Sequence, residues 1–137
     1  REAVVFGTAH ALTRGASPVG AMLTTSDSAV NFRLAGASAF FRRDFDHGVE
    51  AAKVDNGMLS VDFSRSTFST QLGVSSPTLG ADNVSASGTI GKDGVMRSTS
   101  ANAIVQGATT LDGKEAGYLF EKNLASGALR GVTLWGR

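Results

Sequence analysis

Apolar and polar side chains alternate along most of the chain. Asn31 and Arg33 separate Val30, Phe32 and Leu34, and Ser60 and Asp62 separate Leu59, Val61 and Phe63. Phe68, Leu72 and Val74 share one face with Thr70 between them. A period of two is the geometry of an extended strand, whose successive side chains point to opposite faces. Ser64-Arg65-Ser66 interrupts the alternation, so residues 58–74 predict an antiparallel hairpin. Val84, Ala86, Gly88 and Ile90 form the next apolar face, opposite Ser85, Ser87 and Thr89. Lys92-Asp93-Gly94 then predicts a turn, because glycine accepts the positive φ of tight hairpins, and Val95–Ser100 pairs back across it. A weaker strand over Ala103–Ala108 leads to a second turn at Leu111–Lys114. Ala116, Tyr118 and Phe120 follow on one face of a strand, with Leu119 and Glu121 on the other. In Ala128–Trp135 both faces are apolar, Val132 and Leu134 against Leu129 and Trp135, as in a strand covered on both sides or presented to a partner.

Two segments depart from this pattern. Near the start, Val4, Phe6, Thr8, His10 and Leu12 alternate with a face of small residues, which predicts an opening strand that allows close approach of another layer. Gly48–Asn56 fits a short turn of helix or an irregular loop equally well. About eight short strands at hairpin spacing must dispose of their edges, and closing the sheet removes them. The expected fold is all-β: one domain over residues 1–137, an antiparallel eight-stranded up-and-down barrel, with a two-sheet sandwich as the fallback.

Composition agrees. Seventeen glycines and only two prolines among 137 residues suit strands joined by tight turns. With 13 Lys+Arg against 12 Asp+Glu, the net charge of +1 offers nothing to attract nucleic acid or an acidic membrane surface. The absence of cysteine excludes disulfides, thiolate metal sites and a cysteine nucleophile. No apolar run reaches the length of a membrane-spanning helix. The chain starts at Arg1 and reads as a piece of a longer protein.

Several motifs, in order, carry a resemblance. Val61-Asp62-Phe63, a short turn and Thr67-Phe68-Ser69 form a "VDF … TFS" hairpin, preceded by Val30–Gly36 and followed by Ser87–Gly94. Leu111–Gly117 keeps the glycine and acidic character of a turn before the penultimate strand, without a Gly-Pro step, and Gly131–Arg137 closes the set. Over residues 29–137 this order resembles the β-barrel domain of transferrin-binding protein B-like lipoproteins, and most closely the C-terminal barrel of FecR-domain-containing bacterial proteins. The resemblance implies a barrel in the Gram-negative cell envelope, in the periplasm or on the outer-membrane surface, linked to iron or haem acquisition or to its signalling.

Candidate chemistry is sparse. No G-x-S-x-G elbow, phosphate-binding loop, dinucleotide fingerprint or zinc spacing occurs, and the domain is expected to be non-catalytic, without a cofactor or bound metal. Phe40, Phe41, Arg42, Arg43 and Phe45 place three aromatics and two arginines in six residues, the composition of an interface core. They are the predicted contacts for a protein partner; the competing reading tucks the phenylalanines into the core and leaves the arginines in water. Asp44, Asp46 and Glu50 alternate around Gly48, a faint likeness to a calcium loop with its glycine displaced. An alternative function, haem or small-ligand binding in the barrel mouth, would use Phe6, His10 and His47. A third is a purely structural module. The chain is expected to be monomeric, to bind no nucleic acid and not to span a membrane itself.

Overall fold

In the computed structural model, which describes Leu23, Thr25 and residues 28–137, eight antiparallel strands form a closed barrel. They are β1 (Val30–Arg43), β2 (Val49–Asp62), β3 (Thr67–Ser76), β4 (Gly80–Ile90), β5 (Val95–Ala101), β6 (Ile104–Thr109), β7 (Glu115–Leu124) and β8 (Gly127–Gly136). Each pairs with the next in sequence, and β1 pairs with β8 from Arg33↔Gly136 to Arg43↔Gly127. This is the up-and-down barrel that the alternation predicts, not the sandwich. The hairpin of residues 58–74 is β2–β3, with Val61↔Phe68 and Leu59↔Thr70 in register. The opening strand expected around Val4–Leu12 lies outside the described residues.

One element differs from expectation. Gly48–Asn56 is neither helix nor loop: from Val49 onward it is the first half of β2. Its pattern is disguised by a bulge. The β2–β3 register shifts between Asp55 and Met58, with Asn56 at a φ of 51°, so the inward positions run Glu50, Ala52, Val54 and then Gly57, Leu59, Val61. A similar shift between Leu34 and Gly36 resets β1. Before it Phe32 points inward; after it Ala39 and Phe41 do. Extra residues of this kind bend a strand and raise its twist, as barrel closure demands.

Side chains fill the interior. Phe32, Phe41, Leu59, Val61, Phe68, Leu72, Val84, Tyr118, Phe120, Leu129 and Trp135 belong to one buried cluster. Tyr118 stacks on Trp135 with ring centroids 5.8 Å apart. Most polar atoms that enter the interior are paired; among the described residues Thr109 Oγ1 is the buried exception. Thr70 Oγ1 donates to the Met58 carbonyl at 2.8 Å, where the bulge breaks the ladder, and meets the Tyr118 hydroxyl at 2.7 Å. Trp135 Nε1 donates to Thr133 Oγ1 at 2.8 Å. Burial pushes the Tyr118 phenol well above its usual pKa, so it stays protonated and available as a donor.

The turns fall at two poles. The lower pole carries the β2–β3, β4–β5 and β6–β7 turns, where Gly94 and Gly113 take positive φ as the turn geometry requires. Leu23 docks there through its amide on the Lys92 carbonyl at 2.6 Å. The upper pole carries the β1–β2, β3–β4, β5–β6 and β7–β8 turns.

Candidate functional site

Interior-facing charges close the upper mouth. Lys122 on β7 reaches Asp82 on β4, Nζ to Oδ1 at 2.9 Å, and also donates to the Asn83 carbonyl at 2.8 Å. Beside them Arg43 meets Glu50 at 2.7 Å. Glu50 also accepts from the Thr78 amide and hydroxyl, both at 2.7 Å. Hydrogen bonds from Ser76 and then Thr78 hold its carboxyl down to about 2. Desolvation of the Asp82 carboxyl opposes ionisation, yet the Lys122 ammonium and the Asn83 amide hold its pKa below the ordinary value. Each partly buried charge thus has an opposite charge or a hydrogen-bond donor, which makes the mouth a polar seal over an apolar core.

The same groups brace the β1–β2 hairpin. Arg43 donates to both Asp46 carboxylate oxygens, at 3.0 and 3.2 Å, and its guanidinium sits 5.7 Å from the Phe45 ring centroid. The Gly48 amide donates to Asp46 at 2.9 Å, and a Cβ at Gly48 would collide with the guanidinium. The Asp44 amide donates to Ser126 on the β7–β8 turn at 2.9 Å, tying the tip to its neighbour. At that tip Phe45 is 77% exposed, and Val49 just below it is 60% exposed.

The five predicted partner contacts therefore part company. Phe41 is fully buried in the core, which corrects its assignment to a contact surface. Phe40 points outward and is half-buried. Arg42 is exposed, Arg43 is committed to Asp46 and Glu50, and Phe45 is exposed at the tip. Of the ligand-binding alternative, Phe6 and His10 lie outside the described residues, and His47 is exposed in the hairpin turn at a φ of 57°. The Asp44–Glu50 run does not form a calcium loop: Asp46 and Glu50 converge on a guanidinium. Among the described residues no three His, Cys, Asp or Glu side chains gather as metal ligands would.

The outer wall has two characters. On β3 and β4 the outward positions include Ser69, Gln71, Ser85, Ser87 and Thr89. With an apolar interior, this is the inverse of a lipid-spanning barrel, which turns its apolar side chains outward; nor, among the described residues, is any helix long and apolar enough to cross a membrane. Across β6, β7, β8 and β1 the wall instead carries a groove of about 530 Å³, lined by Phe40, Ile104, Leu119, Glu121, Arg130 and Val132 among others. Sequence reading missed Ile104, Leu119 and Arg130 as surface features; the apolar outward residues of Ala128–Trp135 were the clue.

No protein-family model matches the chain, and no curated protein matches it. Among solved structures it is similar to a lipocalin whose expression is activated on cell transformation by the myc oncogene, determined in solution. The two are 16% identical with a TM-score of 0.44, and the match covers 84% of this chain and 74% of that one.

Proposed function

We propose that this barrel is a non-catalytic interaction module of the Gram-negative cell envelope that presents its β1–β2 hairpin to a protein partner. One observation carries the reading: Phe45 stands 77% exposed on a turn held rigid by Arg43, Asp46 and Glu50. An aromatic kept in water on a preorganised tip loses little entropy when it enters a partner's pocket. A rigid barrel bearing such a tip follows the usual division between scaffold and binding loop. The envelope and the link to iron acquisition are supported by the order of motifs over residues 29–137. The side-chain-filled interior favours this reading over haem capture in the mouth.

Photocrosslinking tests it. A benzoylphenylalanine at position 45, in the protein expressed in its native envelope, yields an adduct with another protein that the same group at Ser87 does not. Phe45→Ser abolishes the interaction and leaves the unfolding midpoint unchanged, whereas Phe41→Ala costs about 3–5 kcal/mol of stability. An adduct common to both positions, or none at 45, refutes the reading. A Soret shift on titration with hemin would revive the haem alternative.

A further inference from the structure

The outer groove has an internal symmetry of character. Two rows of ladder partners cross it. The upper reads Ile104, Glu121, Arg130, Phe40 from β6 to β1, and the lower reads Gln106, Leu119, Val132, Ser38. About the line between β7 and β8 the upper row is apolar, acidic, basic, apolar. The lower is polar, apolar, apolar, polar. Glu121 and Arg130 touch at 3.2 Å and keep 34% and 52% of their side-chain surface in water. Ile104 stands 54% exposed between this groove and a second hollow lined by Arg97, Ser98 and Ala103.

We propose that this face binds a second copy of the chain, with the two-fold axis lying between β7 and β8 and parallel to them. A two-fold placed there sets each residue against the mirror position of its row. Ile104 meets Phe40 of the other copy, Glu121 meets Arg130, Leu119 meets Val132 and Gln106 meets Ser38. Every apposition joins like polarity or opposite charge, which is the condition an isologous interface must satisfy. Four strands at about 4.8 Å spacing and two or three rows give a footprint of roughly 300–400 Å² per copy. Stable dimers bury about 800 Å² per partner, so this contact is weak and exchanging, with a dissociation constant of about 100 µM or above. The axis runs along the strands and leaves both upper poles on one side, so the dimer offers two Phe45 tips to the same partner surface, where weak sites gain from linkage. The interface does not depend on what those tips bind.

Charge reversal provides the test. In sedimentation velocity over concentrations up to about 1 mM, the wild type shows a concentration-dependent monomer–dimer equilibrium. Glu121→Lys and Arg130→Glu each raise the dissociation constant about tenfold or more by setting like charges face to face. An equimolar mixture of the two variants restores association. The introduced lysine of one copy then faces the introduced glutamate of the other, and the retained Arg130 of the first faces the retained Glu121 of the second. A pair acting only within one chain could not give that rescue. Ile104→Arg abolishes the dimer, and circular dichroism of all variants matches the wild type because the altered side chains lie on the surface. A wild type that stays monomeric throughout, or a dimer indifferent to these substitutions, overturns the proposal.

Discussion

The hydrogen bond between Thr70 and Tyr118 makes a prediction whose sign, not only its size, can fail. Thr70 Oγ1 has one proton, and the Met58 carbonyl takes it at 2.8 Å. The Tyr118 hydroxyl must therefore be the donor in the 2.7 Å contact between the two side chains. Both residues are essentially without solvent exposure. Tyr118→Phe removes a donor and leaves Thr70 still bonded to Met58, so the loss is one net hydrogen bond, about 1 kcal/mol. Thr70→Val keeps the shape but takes a partner from both the Met58 carbonyl and the Tyr118 hydroxyl, and the hydroxyl retains Thr133 as its second partner. At about 1–3 kcal/mol for a polar group that loses its partner, the cost is about 1–3 kcal/mol. In the double variant the bond between the two side chains is lost only once, so its cost falls about 1 kcal/mol below the sum of the two single substitutions. Urea unfolding followed by circular dichroism reads these as midpoint shifts at constant slope, and thermal melts as about 3–6 °C in Tm for each kcal/mol at this size. If the double variant costs as much as the two single substitutions added together, or more, the two side chains are not coupled and the role given to Thr70 at the bulge is wrong.

Two further outcomes follow from other contacts in the barrel. Gly131→Ala should cost about 2–3 kcal/mol by chemical denaturation, because the new Cβ would lie 2.6 Å from Phe120 ring carbons and 2.8 Å from the Ser38 carbonyl oxygen; a stability within experimental error of wild type refutes it. Glu50, held at about 2 in the folded chain against an ordinary 4.5, binds its proton more readily when unfolded, so its contribution is complete above about pH 4.5 and disappears as pH falls toward 2. In thermal melts across that window, Glu50→Gln should flatten the acid fall in Tm, and parallel profiles for the two proteins would show that Glu50 does not govern it.

What could be read from the residues alone depended on where the ladder was regular. β3, β4 and β7 keep a period of two within their own residues, although β2 shifts register against β3 and β5 shifts against β4 at Ser87 and Gly88, and Leu72, Val84 and Tyr118 fell on the inward face as the period requires. The bulges in β1 and β2 set the limit. Counting by twos from Phe32 and Leu34 reaches Phe40, but the shift at Gly36 turns Phe41 inward and Phe40 out. The adjacent phenylalanines have identical chemistry, so only the register distinguishes them. The shift between Asp55 and Met58 likewise broke the alternation of Gly48–Asn56. An inward Glu50, neutralised by Arg43 on the neighbouring strand, gave that strand the look of a solvated loop. The groove escaped notice for a related reason. Its rows are assembled from four strands, and the pairing of Ile104 with Phe40 across Glu121 and Arg130 has no trace in the linear order.

The seam between β1 and β8 governs how the protein must be made. Its partners lie about a hundred residues apart in the chain, so the ring cannot shut until β8 has left the ribosome. Until then Phe32, Leu34 and Phe41 line an open edge able to pair with any other extended chain, which is the hazard of slow, non-local β topologies. Loss of β8 would therefore do more than trim a strand: it would leave the nascent polypeptide permanently in its most aggregation-prone form.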